Sequence, residues 1–235
     1  MQSLGCCLRL TTARTTRIVI SATVRSPDIR ALALAAGWDG AGQIECVINA
    51  GVDVAALSTT TLPHDMLHVI NNGRIGGVVN GGTGLYTRSR MRLTSAGTIF
   101  GGGGRGGEGG RSWVKYRFDD EIFWTTPGQG GSGAGFSASG PVVFADQQGG
   151  DYGSYWEYSG AVAGGETAPW ARGGIGGTGG GIGAQGLSGQ AATYGGSYQD
   201  VGIGAPYPGA PAGYYVDGNS YVTWLATGTR LGRVT

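Results

Sequence analysis

The chain has 235 residues, and its 51 Gly and 8 Pro bring it near the level that usually signals low-complexity disorder. Its 6 Trp, 11 Tyr and 5 Phe exclude that class, because disordered tracts are poor in aromatic residues, so a folded glycine-rich protein is expected. With 16 Lys+Arg against 15 Asp+Glu the net charge is +1, which gives no global field that would draw the chain to nucleic acid or to an acidic lipid surface.

The first ten residues, MQSLGCCLRL, lack the basic start and long apolar run of a secretory signal. No stretch approaches 18 apolar residues, so no membrane span is expected. Residues 15–24 are rich in β-branched side chains and read as a strand. A short helix over 27–36 follows, with Ser26 as N-cap, Pro27 in the first helical position, and Ile29, Leu32, Ala33 and Ala36 as an apolar stripe that Gly37 ends. Strands resume at QIECVINAGVDVAAL, MLHVINNGRIGGVVNGG and MRLTSAGTIFGG. Asn71-Asn72-Gly73 is a strong turn signal between two β-rich runs. Serial short strands between Asn/Gly turns describe a β-solenoid-like or strand-rich adaptor.

After residue 100 the texture changes. Glycine tracts at 101–110, 128–140 and 173–190 alternate with aromatic excursions at 111–126, 141–172 and 191–207. In the last tract Gly174, Gly177, Gly180, Gly183, Gly186 and Gly189 hold one frame of three, and Gly101, Gly104, Gly107 and Gly110 repeat it. Three is the period of a polyproline-II helix, one face of which would then carry only hydrogens and could lie backbone against backbone. A flexible linker is the alternative. RSWVKYRFDDEIFWTT reads as a hairpin turning at Asp119-Asp120, and GYYVDGNSYVTW as a second one around Asp217-Gly218-Asn219. The expected fold is mainly β. Residues 1–100 form a strand-rich attachment base, and residues 101–235 a glycine-rich distal region with aromatic loops and a C-terminal hairpin.

GWDG (37–40), INNGRI (70–75) followed by SAGTIFGGGGRGG (95–107), and GNSYVTWLATGTRLGRV (218–234) resemble glycine-rich tail-fibre and tail-tip proteins of tailed bacteriophages. Some adhesins of that kind pack glycine-rich strands as a polyproline-II sandwich with variable loops at one end. The resemblance implies a virion tail protein, made in the bacterial cytoplasm, that contacts other tail proteins. It also implies recognition of a bacterial surface polysaccharide or outer-membrane protein. Fibre-like proteins of this type are commonly threefold, and a homotrimer is expected.

The chemistry of individual motifs is mostly bland. His64 and His68 have the spacing of a zinc helix, but Pro63 before them and the β-rich run after them make the segment extended. On a strand that offset separates the rings by roughly 13 Å, so no metal site is expected. Cys6, Cys7 and Cys46 form neither a disulfide framework nor a metal motif, and fit a reducing compartment. Asp119, Asp120, Glu121, Asp146, Asp151, Glu157 and Glu166 supply carboxylates enough for a glycosidase pair, yet sit in turns and loops. No catalytic residues and no cofactor are expected. The candidate receptor-binding residues are Tyr152, Tyr155, Trp156, Tyr158, Trp170, Tyr194, Tyr198 and Tyr207, with Trp156 as anchor. Each could instead be core that glycine cannot provide. A purely structural tail connector and a polysaccharide depolymerase are the rival readings.

Overall fold

The computed structural model describes residues 14–117 and 121–235. Cys6, Cys7 and the turn expected at Asp119-Asp120 lie outside the described residues. The first part is a parallel coil of short strands: β1 (Thr16–Ile20), β2 (Val24–Arg25), α1 (Ile29–Ala35), β3 (Ile44–Ile48), β4 (Asp53–Ala55), β5 (Leu57–Ser58), β6 (Leu67–Asn71), β7 (Arg74–Gly76), β8 (Leu85–Tyr86) and β9 (Met91–Phe100). One face stacks β1, β3, β6 and β9 in parallel register, with Ile44 beside Leu67 and Leu67 beside Met91. A second face stacks β2, β4, β7 and the end of β9, and a third pairs β5 with β8. Alternate residues point inward, and Ile18, Cys46, Val69 and Leu93 form one buried column.

The solenoid expected from the short strands is present, but its corners are not hairpins. β6 ends at Asn71 and β7 begins at Arg74, and instead of pairing with each other they lie parallel to successive stretches of β9. Glycine is needed at 73 for stacking: a Cβ there would lie 2.3 Å from the Val52 carbonyl oxygen of the preceding rung. Buried Asn71 donates to Ser95 Oγ (3.0 Å), tying one corner to the next. The helix is shorter than expected, because Asp28 rather than Ser26 is the N-cap, accepting the Ala31 N–H at 3.0 Å. Ser26 has φ 43° and its N–H donates instead to Ala55 O. Ile29 and Ala33 are buried, whereas Leu32 faces outward.

Beyond Phe100 the chain runs through six extended segments, I (101–111), II (126–136), III (146–154), IV (172–181), V (184–192) and VI (204–213). The shorter strands between them are β10 (Ser112–Lys115), β11 (Ile122–Trp124), β12 (Gly135–Phe136), β13 (Phe144–Ala145), β14 (Tyr155–Glu157), β15 (Trp170–Arg172), β16 (Thr193–Gly195) and β17 (Asp200–Ile203). The segments hydrogen-bond to their neighbours every third residue. The Gly106 N–H donates to Gly131 O (2.9 Å), Gly131 to Gly177 O (2.9 Å), and Gly177 back to Gly107 O (2.8 Å). Segment III bonds to II and IV through Asp151 N–H to Gln129 O and Gly176 N–H to Asp151 O. Segments V and VI close the other side through Gly107 N–H to Leu187 O, Gly186 N–H to Ala210 O and Ala210 N–H to Arg105 O. This is a polyproline-II sandwich of two layers, II-I-VI and III-IV-V.

Inner segments need two glycines in three. In segment I a Cβ at Gly106 would lie 1.9 Å from Gly177 O, and one at Gly107 2.0 Å from Tyr207 O. Arg105 and Glu108 occupy the remaining third of the turn. The frame from Gly174 to Gly189 is not one strand. Gly183, at φ 69°, turns the chain, and segment V returns antiparallel to IV.

One end of the sandwich is built into the solenoid. Gly101 N–H donates to Leu231 O, Gly102 N–H to Gly82 O and Phe136 N–H to Gly77 O, around packed Phe100, Phe136 and Phe144 rings. At about 3.1 Å per residue, segment I carries the chain roughly 30 Å from there. Residues 214–235 then return. β18 (Tyr214–Asp217) lies parallel to β8 and to β20 (Arg233–Val234), while β19 (Val222–Leu231) lies parallel to β9. The hairpin expected around Asp217-Gly218-Asn219 is therefore a solenoid corner. Residue 100 marks where the chain leaves the solenoid, and the C-terminal strands complete its last rung.

Candidate functional site

The outer parts of the three excursions, carrying β10 and β11, β14 and β15, and β16 and β17, stand at the end of the sandwich opposite the solenoid, and the third ties the other two together. The start of the second, with Phe144, stays at the solenoid end. β17 pairs antiparallel with β10, which also pairs with β11; β16 pairs with β15, which also pairs with β14. Beneath the two sheets Val114, Tyr116 and Ala171 are buried. The Tyr116 hydroxyl donates to Glu166 Oε2 (3.0 Å) and accepts the Ala163 N–H (3.0 Å), its ring lies 4.7 Å from that of Tyr158, and Arg117 pairs with Glu166. Burial first, and the bond to Glu166 with it, push the Tyr116 phenol above its ordinary pKa.

Six of the eight candidate residues lie on the β14-β15-β16 side of this tip or in the turn after it. Tyr155 is 56% exposed and its hydroxyl donates to Glu157 Oε2 (2.9 Å), a bond that raises its pKa. The Trp170 ring lies 6.1 Å from that of Tyr155, and Tyr194 and Tyr198 meet edge to face at 5.3 Å. Trp156, the expected anchor, is set among other rings. It is half-buried, stacked on Phe123 with ring centroids 3.6 Å apart, and Tyr158 is engaged with Tyr116. Tyr152 lies on segment III with Arg172 over its ring, and Tyr207 on segment VI beside Arg105 and Glu108, so both stand on the flank.

The first excursion supplies residues the candidate set omits. Trp124 is 64% exposed and its ring meets that of its cross-strand partner Trp113 at 5.8 Å. Trp113 lies across Gly202 on β17, where a Cβ would fall 2.0 Å from its Nε1. Trp170 lies in the same way across Gly195 on β16, at 2.7 Å from its Nε1 and 2.8 Å from Cε2 and Cζ2. A glycine inside a strand pattern, as in Asp200-Val201-Gly202-Ile203, was the available signal, since it marks a close approach.

Other chemistry is structural. His64 Nδ1 accepts the Arg90 N–H, whereas His68 on β6 lies 2.9 Å from Thr94 Oγ1, so the two rings serve different partners. Burial lowers the His68 pKa. Among the described residues no group of three His, Cys, Asp or Glu could hold a metal, and no helix is long and apolar enough to cross a membrane. Glu157 and Glu166 are each engaged by a tyrosine hydroxyl.

The sequence matches the family model of the phage tail fibre adhesin Gp38 over residues 15–235. Among solved structures, the gp37-gp38 adhesin tip complex of the bacteriophage S16 long tail fibre is similar at 19% identity, covering 94% of this chain and 83% of that one with a TM-score of 0.44. No curated protein sequence matches the chain. Matched from the first solenoid strand to the last, the chain belongs to the Gp38 family of phage tail fibre adhesins, virion proteins that recognise the bacterial host surface.

Proposed function

We propose that the chain recognises its host through the aromatic tip and is held on the fibre by its solenoid. The observation that carries this reading is the polarity of the sandwich: one end is built into the solenoid, with Phe144 packed there, and the other bears the strands β10, β11 and β14 to β17 with most of the exposed rings. Tyr155, Trp170, Tyr194 and Tyr198 are the contacts on one sheet, and Trp156 and Tyr158 hold them in place. Tyr152 and Tyr207 extend the contact along the flanks. Large, rigid rings on a glycine scaffold give contact area at little entropic cost. The ligand is a bacterial surface polysaccharide or outer-membrane protein, and binding proceeds without cleavage.

Attachment falls to the first rung. β1 is the outermost strand of its sheet, and exposed Val19 and Leu32 border a hollow with Val24 and Pro27. A strand edge unpaired among the described residues, beside apolar side chains, suits a neighbouring tail subunit. The glycine segments find their hydrogen-bond partners within one chain, so the homotrimer of the fibre-like reading rests on solenoid contacts. Native mass measurement decides it, with a stable monomer as the refuting result. Synthesis in the host cytoplasm agrees with Cys46, a buried free thiol.

The test adds purified protein to host cells and to extracted surface polysaccharide, scoring binding and cleavage together. Adsorption lost in a Tyr155→Ala, Tyr198→Ala double variant with an unchanged melt supports the reading. Absence of adsorption by the unaltered protein would leave the structural connector.

A further inference from the structure

The two tip sheets repeat one device. In each, a tryptophan stands opposite a glycine on the neighbouring strand and lies over it: Trp113 over Gly202, Trp170 over Gly195. In each, a second, more exposed ring stands beside the tryptophan: Trp124 at 5.8 Å and Tyr155 at 6.1 Å. A side chain at either glycine would lift the indole off the sheet. Glycine lets the indole lie close to the backbone, so each sheet carries an aromatic platform of two neighbouring rings, their planes tilted by 46° in the first and 33° in the second.

We infer that these two platforms are a pair of saccharide subsites, each taking one pyranose ring of a bacterial surface polysaccharide. The inference rests on the reading of the tip as the host-binding end. The chemistry follows from the shape. One face of a pyranose presents a flat set of axial C–H bonds whose positive edges meet the negative face of an indole, whereas an apolar protein side chain gains most from a concave pocket. The ring's hydroxyls need donors and acceptors at the platform edge. Lys115 and Asp200, cross-strand partners two residues along from Trp113 and Gly202, share that face of the first sheet. Arg172 and Glu157 stand on β15 and β14 of the second. Two subsites on one tip bind a repeating polymer by avidity where each alone is weak.

The probes are lipopolysaccharide core oligosaccharide and capsular polysaccharide, purified from a bacterium that the assembled particles infect, with its outer-membrane proteins in detergent as a separate arm. Tryptophan fluorescence and surface binding are read on the whole protein. Trp124→Ala is expected to weaken polysaccharide binding about tenfold. Gly202→Val, which keeps every aromatic ring and displaces Trp113, is expected to do the same with its sandwich melt unchanged. Gly195→Val repeats the experiment on the second sheet. Polysaccharide binding that survives Trp124→Ala overturns the inference. So does adsorption through outer-membrane protein with no polysaccharide bound, a result that leaves the adhesin reading standing. If Gly202→Val unfolds the tip, Trp124→Ala alone carries the decision, because its exposed ring is not needed for packing. Cells that fail to adsorb the unaltered protein would remove both readings.

Discussion

Phe123 and Trp156 stack with ring centroids 3.6 Å apart and planes within 10°, although they belong to different excursions. Such a pair contributes about 0.5–1.5 kcal/mol beyond its buried area. Here it also joins the β10-β11 sheet to the β14-β15 sheet. Trp156→Ala is expected to cost about 2–3 kcal/mol, below the full penalty for a buried tryptophan because the ring is half-buried. The loss should appear as an early transition in tryptophan fluorescence while the solenoid melts at its usual temperature. Host adsorption should fall with it, whereas Tyr155→Ala should weaken adsorption without the early transition.

The inner segments of the sandwich tolerate side chains at one position in three and exclude them at the others. A Cβ at Gly177 would lie 2.1 Å from Leu187 O, so Gly177→Ala forces two segments apart and is expected to cost about 3 kcal/mol or more. Gly180→Val is worse, since its Cβ would meet Ala184 O at 2.2 Å and its methyls extend further. Thr178→Val, one residue away on the outward position, should change stability by less than about 0.5 kcal/mol. The amides of Gly106, Gly131 and Gly177 should exchange slowly, because each is bonded inside the bundle. Fast exchange there, or equal melts for all three variants, would refute the packing.

Much of this was legible in particular residues. Gly-Gly-X in segment I, with Arg105 and Glu108 at X, states both the period and the outward face. The turn at Gly183 was hidden because its glycine keeps the same frame for a different reason, a positive φ. Asn71-Asn72-Gly73 could not separate a hairpin from a solenoid corner, since both need a tight bend. The distinguishing signal was longer in range: Ile44, Leu67 and Met91, stacked in register, stand 23 and 24 residues apart. The tip was legible as aromatic composition and as the hairpin strands of RSWVKYRFDDEIFWTT, which pair antiparallel as β10 and β11. Which rings are exposed depends on pairing between excursions far apart in sequence, and Trp113 over Gly202 joins residues that no local pattern connects.

Cys46 faces the solenoid interior in the column with Ile18, Val69 and Leu93, and burial pushes its thiol up to about 12. The nucleophile is the thiolate, so the native protein should leave Cys46 unlabelled by iodoacetamide at about pH 8 and label it fully in denaturant. Mass spectrometry of the peptide containing Cys46 reads both states. Labelling under native conditions would show that the first rungs open, and would place the weak point of the fold at the end proposed for attachment.

The phenols of the tip make its stability fall at alkaline pH. Tyr116, Tyr155 and Tyr198 are all held above the ordinary tyrosine value of about 10: Tyr116 chiefly by burial, Tyr155 by its bond to Glu157, Tyr198 by its bond to Tyr194. A raised folded-state pKa means that the unfolded chain releases these protons first. The stabilisation is therefore complete below about pH 10 and is lost as pH rises from there through the folded values. Tyr116→Phe keeps the ring against Tyr158 but removes the hydroxyl from Glu166 and Ala163. The variant should be less stable than the parent at neutral pH, because the Ala163 N–H loses its acceptor. Its stability should also decline less steeply as the pH rises above about 10, since one of the three linked protons is gone. Melts followed by tip tryptophan fluorescence across that range check both parts. Parallel curves for parent and variant would show that the Tyr116 hydroxyl is not held by the loop around Glu166.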